Sequence, residues 1–204
     1  MKVAFSIAAL IAAVSAQPYN VTSKPFQLLA RGNFSGPIRV CDLPAYNERR
    51  YQVLCVWPDA LSEKPDGGNT FNLNSTTGAE APSNRTDLGT PGILHWWHSG
   101  TNSYPYHETL SFLDGQFEGF GREDSTPFMR PDSDRGPSWT ASLIAFNKQD
   151  ELVVLNYPET KRWFYCPQNL RRGFRDLLLV YGIGAGKPEN GPCTAIDGIK
   201  RVFI

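Results

Sequence analysis

The segment YQVLCVW at residues 51–57 carries the clearest structural signal in the chain. Its side chains are almost all apolar or aromatic, and those at 51, 53, 55 and 57 would share one face of an extended strand, because successive side chains of a strand point to opposite sides. Four polar residues at 147–150, Asn-Lys-Gln-Asp, join two apolar runs and predict a hairpin turn. Strands connected by turns are therefore the expected building blocks.

Similar short β-branched and aromatic runs recur along the chain, and no helical periodicity extends over about eleven positions or more. Twelve strands are predicted, at 26–30, 38–43, 51–57, 70–74, 92–98, 108–113, 126–130, 139–146, 151–156, 162–166, 176–181 and 199–204. A short helix at 171–179 stays open as an alternative, because Phe174, Leu177 and Leu178 could lie on one side of it. Three loose groups of four strands predict an all-β fold of the β-trefoil type, and an antiparallel β-sandwich or another closed β-barrel fits nearly as well.

Composition supports one β-rich domain and excludes several function classes. Of 204 residues, 18 are Gly and 16 are Pro, too many for a helical bundle, while 41% are hydrophobic, which argues against disorder. The 20 basic residues balance 20 acidic ones, which argues against nucleic acid as a partner, because nucleic-acid binders carry a basic excess. Two polar stretches, 59–92 and 114–136, are interpreted as surface loops within the domain.

The first sixteen residues, MKVAFSIAALIAAVSA, have the pattern of a secretory signal peptide. Lys2 is the only charge, a mostly apolar run follows, and small residues precede a cleavage point before Gln17. That run is shorter than the about 20 residues that a membrane-spanning helix needs, and no other stretch is long or apolar enough. We therefore expect a signal peptide at 1–16, a single domain at 17–204, export from the cell and no membrane span.

N-glycosylation sequons agree with export. Four Asn-x-Ser/Thr sequences begin at Asn20, Asn33, Asn74 and Asn84. Because a glycan cannot be packed inside a fold, each sequon that is used must lie at the surface. We expect at least two of the four to carry a glycan.

The four cysteines, Cys41, Cys55, Cys166 and Cys193, are an even number in a chain expected to enter an oxidising compartment. Three connectivities are possible. Pairing of Cys41 with Cys55 and of Cys166 with Cys193 is preferred because each pair closes a short loop. Zinc is disfavoured because no C-x2-C spacing is present, and oxidation would consume a catalytic thiol.

The cluster His95-Trp-Trp-His98 is the most conspicuous candidate for ligand binding. On a strand, His95 and Trp97 face one way while Trp96 and His98 face the other. An exposed indole ring beside an imidazole could stack on a sugar ring and bind its hydroxyl groups, so Trp96, Trp97 and His98 are the predicted binding residues. The alternative is that one Trp fills the core and the other covers a neighbouring strand.

No catalytic, metal or cofactor site is predicted. A metal site built from His95, His107 and Glu108 would need all three to converge in space. The GIGAGK run at 182–187 is followed by Pro188 where a phosphate-binding loop needs Ser or Thr, and the G-x-S-x-G motif is missing. Paired carboxylates of a secreted glycosidase remain an alternative, and the candidates are Glu108, Asp114, Glu118, Glu123, Asp124, Asp132 and Asp134.

The order of several segments resembles a group of secreted or cell-wall-associated proteins of filamentous ascomycete fungi. The segments are YNVTSKPFQLL at 19–29, the pair Cys41 and Cys55, TFNL at 70–73, KRWFYC at 161–166, GKPENGPC at 186–193 and IKRVFI at 199–204. The resemblance is weak between about 59 and 137. It implies location and architecture, supports the pairing of Cys166 with Cys193, and assigns no catalytic residue.

The sequence therefore predicts a secreted, N-glycosylated fungal protein with a single disulfide-linked β domain, retained at or near the cell wall. Its expected role is glycan binding or structure, with a cell-wall glycan or an extracellular protein as partner and without a cofactor. The alternatives are a secreted glycoside hydrolase that uses two carboxylates, and a secreted effector or antigen that binds a host protein.

Overall fold

The computed structural model describes residues 19–32, 35–43, 51–56, 70–98, 106–114, 124–131, 142–155, 163–167, 177–182, 188 and 192–204. These residues form fourteen β-strands and, across the described ranges, no helix. The predicted all-β class is confirmed. The predicted signal peptide at 1–16 lies outside the described residues. No helix in the described part is long and apolar enough to cross a bilayer.

The strands coincide closely with the predicted ones. They are β1 (Val21–Thr22), β2 (Phe26–Arg31), β3 (Gly36–Leu43), β4 (Tyr51–Val56), β5 (Phe71–Ser75), β6 (Gly92–His98), β7 (Tyr106–Asp114), β8 (Asp124–Pro131), β9 (Leu143–Phe146), β10 (Leu152–Val154), β11 (Trp163–Pro167), β12 (Leu177–Gly182), β13 (Thr194–Ile196) and β14 (Gly198–Phe203). Every predicted strand overlaps one of these, and β1 and β13 are additional. The alternative helix at 171–179 is wrong for 177–179, which belong to β12, and 171–176 lie outside the described residues.

All strand pairings are antiparallel and connect the strands into one sheet. The order is β1-β5-β2-β3-β4-β12-β8-β7-β6-β9-β10, with β14 beside β2, β11 beside β12 and β13 beside β11. Strand β5 also pairs with β6, and β4 with β8, so the sheet bends back on itself. The predicted trefoil is not confirmed, because consecutive strands pair in meanders, β2-β3-β4 and β5-β6-β7-β8, and not in three equivalent groups of four. Nor do the described strands form two separate sheets, as a sandwich requires.

One face of this sheet supplies the core. In β2, Phe26, Leu28 and Ala30 are buried while the residues between them are half-buried, which is the alternation of a strand with one core-facing side. Side chains from β3 to β12, together with Ile196 of β13 and Ile199 of β14, join the same cluster. Each fully buried large side chain contributes about 1.5–3 kcal/mol. The core therefore holds the curved sheet in shape.

Two disulfides link neighbouring segments, and the preferred pairing is confirmed. Cys41 and Cys55 join β3 to β4, with a Cα–Cα distance of 6.0 Å. Cys166 of β11 joins Cys193, just before β13, with a Cα–Cα distance of 4.3 Å. The cysteines of the two pairs are 14 and 27 positions apart, and loops of this size give stabilisation of about 3 kcal/mol or slightly more each, on a chain-entropy estimate.

The predicted hairpin turn at 147–150 is confirmed between β9 and β10. The Asn147 side-chain oxygen accepts hydrogen bonds from the backbone N–H groups of Gln149 and Glu151, both at 2.9 Å. Asp150 has a φ of 63°, a left-handed conformation that Asp tolerates better than most residues. The turn therefore places Asn147 and Glu151 side by side.

Candidate functional site

The Trp–His cluster lies on β6, as predicted, but Trp96 does not face solvent. Its side chain is 5% exposed and belongs to the core, where its strand positions pair with Phe71 and Glu108. A buried indole cannot offer a ring face to a sugar, so Trp96 is removed from the candidate binding residues. The prediction for Trp97 and His98 concerns side chains outside the described part.

His95 and Glu108 lie on opposite faces of the sheet. Paired residues share a face of the sheet, as do residues two positions apart on one strand. Glu108 pairs with the core residue Trp96 and lies two positions before the core residue Leu110, so it is on the core face, whereas His95 pairs with Thr109 on the other face. These two side chains therefore do not converge, and His107 lies outside the described side chains. Within the described ranges, no group of three His, Cys, Asp or Glu side chains could hold a metal ion.

Glu108 is the candidate carboxylate whose side chain the structure describes. It is 5% exposed, and the Gln52 side-chain amide donates to both carboxylate oxygens once the amide is oriented to match its partners. A buried charge needs such partners. The side chains of the other six candidates lie outside the described part, so the predicted carboxylate pair stays a prediction.

The four sequons occupy different environments. Asn84 is exposed in a turn, and Asn20 is exposed with its side-chain oxygen accepting from Thr77 N at 2.9 Å and from Thr77 Oγ1 at 3.2 Å. Asn74 lies half-buried in β5, paired on both sides, and its side-chain oxygen is buried without a hydrogen-bond partner among the described residues. Asn33 lies outside the described residues.

A cleft that the sequence analysis missed lies beside the β9–β10 hairpin. Its walls come from the loop before β6, the hairpin, β11, β12 and the junction of β13 with β14. The lining residues are Arg85, Asn147, Glu151, Leu152, Val153, Val154, Trp163, Tyr181, Asp197 and Gly198. Its volume is about 30 Å³, and one water needs about 10–15 Å³. The cleft therefore admits two or three groups of the size of water.

Aromatic side chains form the base of the cleft. Trp163 and Tyr181 pair across β11 and β12, with ring centroids 4.7 Å apart in an edge-to-face arrangement. Phe112 packs against both, at 6.1 Å from Trp163 and 5.7 Å from Tyr181. Such contacts stabilise aromatic pairs beyond simple burial. The base is therefore rigid and continuous with the core.

Glu151 is held in place from two sides. One carboxylate oxygen lies 3.0 Å from an Arg31 guanidinium nitrogen, and the other accepts from the Asn147 side-chain amide at 3.0 Å. Arg31 ends β2, whereas Asn147 and Glu151 flank the hairpin turn. The two contacts fix the direction of the carboxylate at the edge of the cleft.

Arg85 enters the cleft from the loop before β6. Its Nε and Nη2 donate to the two carboxylate oxygens of Asp87 at 2.9 and 3.0 Å. The hydrogen bond to Asp87 raises the pKa of the Arg85 guanidinium above its ordinary value, so the group stays charged. The loop is attached to the hairpin because Lys148 N donates to Asp87 O at 3.1 Å.

Asp197 is an exposed residue that also lines the cleft. Its backbone N–H donates to Arg31 O at 2.7 Å. Gly32 has a φ of 131°, and a Cβ there would lie 3.0 Å from Asp197 N, so only glycine fits this approach. The position of Asp197 therefore depends on Gly32.

The arrangement can bind a neutral, hydroxylated group. Arg85 and Asn147 supply hydrogen-bond donors, Glu151 and Asp197 supply acceptors, and the base is aromatic. These residues are far apart in sequence and form no motif, and their proximity follows from strand pairing. The sequence signalled only one part of the site, the hairpin turn.

Comparison of the chain with family models, with curated proteins and with solved structures finds no match. The functional argument therefore depends on the geometry of the cleft. The two disulfides add that the fold is compatible with an extracellular protein.

Proposed function

We propose that this chain is a secreted, N-glycosylated fungal surface or cell-wall protein whose β domain binds glycan at the cleft. One observation carries the proposal: hydrogen-bond donors, hydrogen-bond acceptors and apolar side chains line the same small cleft. Sugar hydroxyl groups both donate and accept hydrogen bonds, and such mixed polar surroundings on an apolar base suit them. The signal-peptide pattern and the disulfides support the extracellular location.

Saturation-transfer NMR with soluble oligosaccharides of chitin and of β-1,3-glucan tests glycan binding. We expect transfer to at least one series with the wild-type protein and a clear loss with Asp197→Asn, which keeps the shape of the side chain and removes its charge. Glu80→Gln is the matched control, because Glu80 is exposed and does not line the cleft. Absence of transfer to every oligosaccharide would contradict the proposal.

Export is tested on protein collected from the medium of a fungal expression host. We expect an N-terminus at Gln17 and no reactive thiol among the four cysteines. A protein retained inside the cell with an intact first segment would contradict the proposed location.

A second candidate is a secreted glycoside hydrolase, favoured by one observation. Glu151 and Asp197 are two carboxylates that line the same cleft, although neither belongs to the predicted set. Glycosidases use two such groups on either side of the bond that is broken. Incubation with the same oligosaccharides separates the candidates, because a hydrolase shortens them and a binding domain returns them unchanged.

A further inference from the structure

We infer that the cleft binds the terminal residue of a glycan chain end-on, and not the flat face of residues along a polymer. The inference depends on the proposed function and specifies the ligand: chain ends of soluble oligosaccharides or branches. Three features of the cleft support end-on binding: the burial of its aromatic rings, its volume and the segments that carry its polar groups.

The aromatic rings are too deeply buried to be a stacking platform. Trp163 is 2% exposed and Tyr181 is 3% exposed. A sugar that stacks on an aromatic side chain covers most of one ring face, and that face must first be open to solvent. The faces here are occupied by each other, by Phe112 and by the rest of the core. The rings can therefore contact only a group that points down into the cleft.

The volume limits what can enter. A volume of about 30 Å³ accepts two or three groups of the size of water. A hydroxyl or hydroxymethyl substituent is of that size, whereas a whole pyranose ring is several times larger. The sugar ring must therefore stay at the mouth while one edge of it enters.

The polar lining residues come from three separate segments of the chain. Arg85 stands on one loop, Asn147 and Glu151 on the hairpin, and Asp197 on the segment before β14. A residue inside a linear chain has two neighbouring sugars, and both would meet these walls as its edge entered. A terminal residue has only one neighbour, which can extend away into solvent. The geometry therefore favours a chain end.

Calorimetric titration with chain-length series tests this inference. The probes are chito-oligosaccharides and β-1,3-gluco-oligosaccharides of increasing length, compared at equal molar concentration of chains. For the series that binds, we expect the Kd per chain to change by less than about twofold with length, because added sugars make no new contact. Asp197→Asn should raise the Kd about tenfold or more at every length, because it weakens a charged hydrogen bond. Glu80→Gln should leave the Kd unchanged.

The other outcomes are distinct. A Kd that falls severalfold with each added residue would overturn end-on binding, because the chain would then lie along the surface, while glycan binding itself would stand. An unchanged Kd in Asp197→Asn would place the ligand elsewhere and overturn the inference. Heats indistinguishable from buffer for every oligosaccharide would refute both the inference and the proposed function.

Discussion

Arg31 and Glu151 form an ion pair at 3.0 Å although they are 120 positions apart in the sequence. The pair connects the end of β2 to the start of β10 and, through the second oxygen of Glu151, to Asn147. Both side chains are partly exposed, 49% for Arg31 and 34% for Glu151. Solvent therefore weakens their attraction, and the main effect of the pair is to orient the carboxylate at the cleft.

We predict that Arg31→Gln lowers the free energy of unfolding by at most about 1 kcal/mol, because exposed ion pairs contribute little. The loss of glycan-binding free energy should be larger than this loss of stability, since Glu151 loses one of its two partners. Urea denaturation and calorimetric titration of the same sample measure the two quantities. A stability loss of several kcal/mol with unchanged affinity would show that the pair is structural.

Gly32→Ala should be clearly destabilising, by about 1–3 kcal/mol, because its backbone conformation is strained for any side chain. The added methyl group would also displace Asp197, so glycan affinity should fall. Gly78→Ala is the matched control: Gly78 also has a positive φ, 78°, but a Cβ there meets nothing within 4 Å. Equal effects of both substitutions on ligand binding would mean that the Gly32–Asp197 approach does not matter.

Trp96→Phe should leave glycan binding intact while lowering the stability by about 1–3 kcal/mol, because Trp96 fills the core. Thermal denaturation gives the stability, and titration below the melting temperature gives the affinity. If the folded variant lost binding, Trp96 would be a ligand contact and its removal from the candidate residues would be an error.

Glycosylation should be selective among the sequons that the structure describes. We predict carbohydrate on Asn84 and Asn20, which are exposed, because attachment to the side-chain nitrogen leaves the Asn20 oxygen free to accept from Thr77. Asn74 should stay largely unmodified, since it lies half-buried within paired strands. Mass spectrometry of tryptic peptides after enzymatic deglycosylation in heavy-oxygen water identifies each site. Full occupancy at Asn74 in the folded protein would contradict this ranking.

Local patterns in the sequence were sufficient to place twelve of the fourteen described strands and to favour the observed disulfides. The strand at 92–98 was predicted with its observed bounds, and the turn at 147–150 follows from polar residues between apolar runs. Strands β1 and β13 were missed because two or three residues carry no measurable periodicity.

The remaining features depend on contacts between distant parts of the chain. Alternation could not tell whether Trp96 is buried, because its burial follows from the pairing of β6 with Phe71 and Glu108. The strand order, in which β12 inserts between β4 and β8, is likewise set by long-range pairing. Arg85 and Asp197 line the same cleft although they are far apart in the sequence. Long-range strand pairing brings them together, so no local motif could reveal the cleft.

The most direct test of the account is the mapping of a bound oligosaccharide on backbone amide resonances. A ¹⁵N-labelled sample is titrated with the soluble oligosaccharide that binds most tightly, and the changed resonances are assigned. The account predicts that the changes centre on Asn147, Glu151 and Gly198 at the cleft. Changes confined to Trp97 and His98 on β6, with the cleft resonances unmoved, would contradict it.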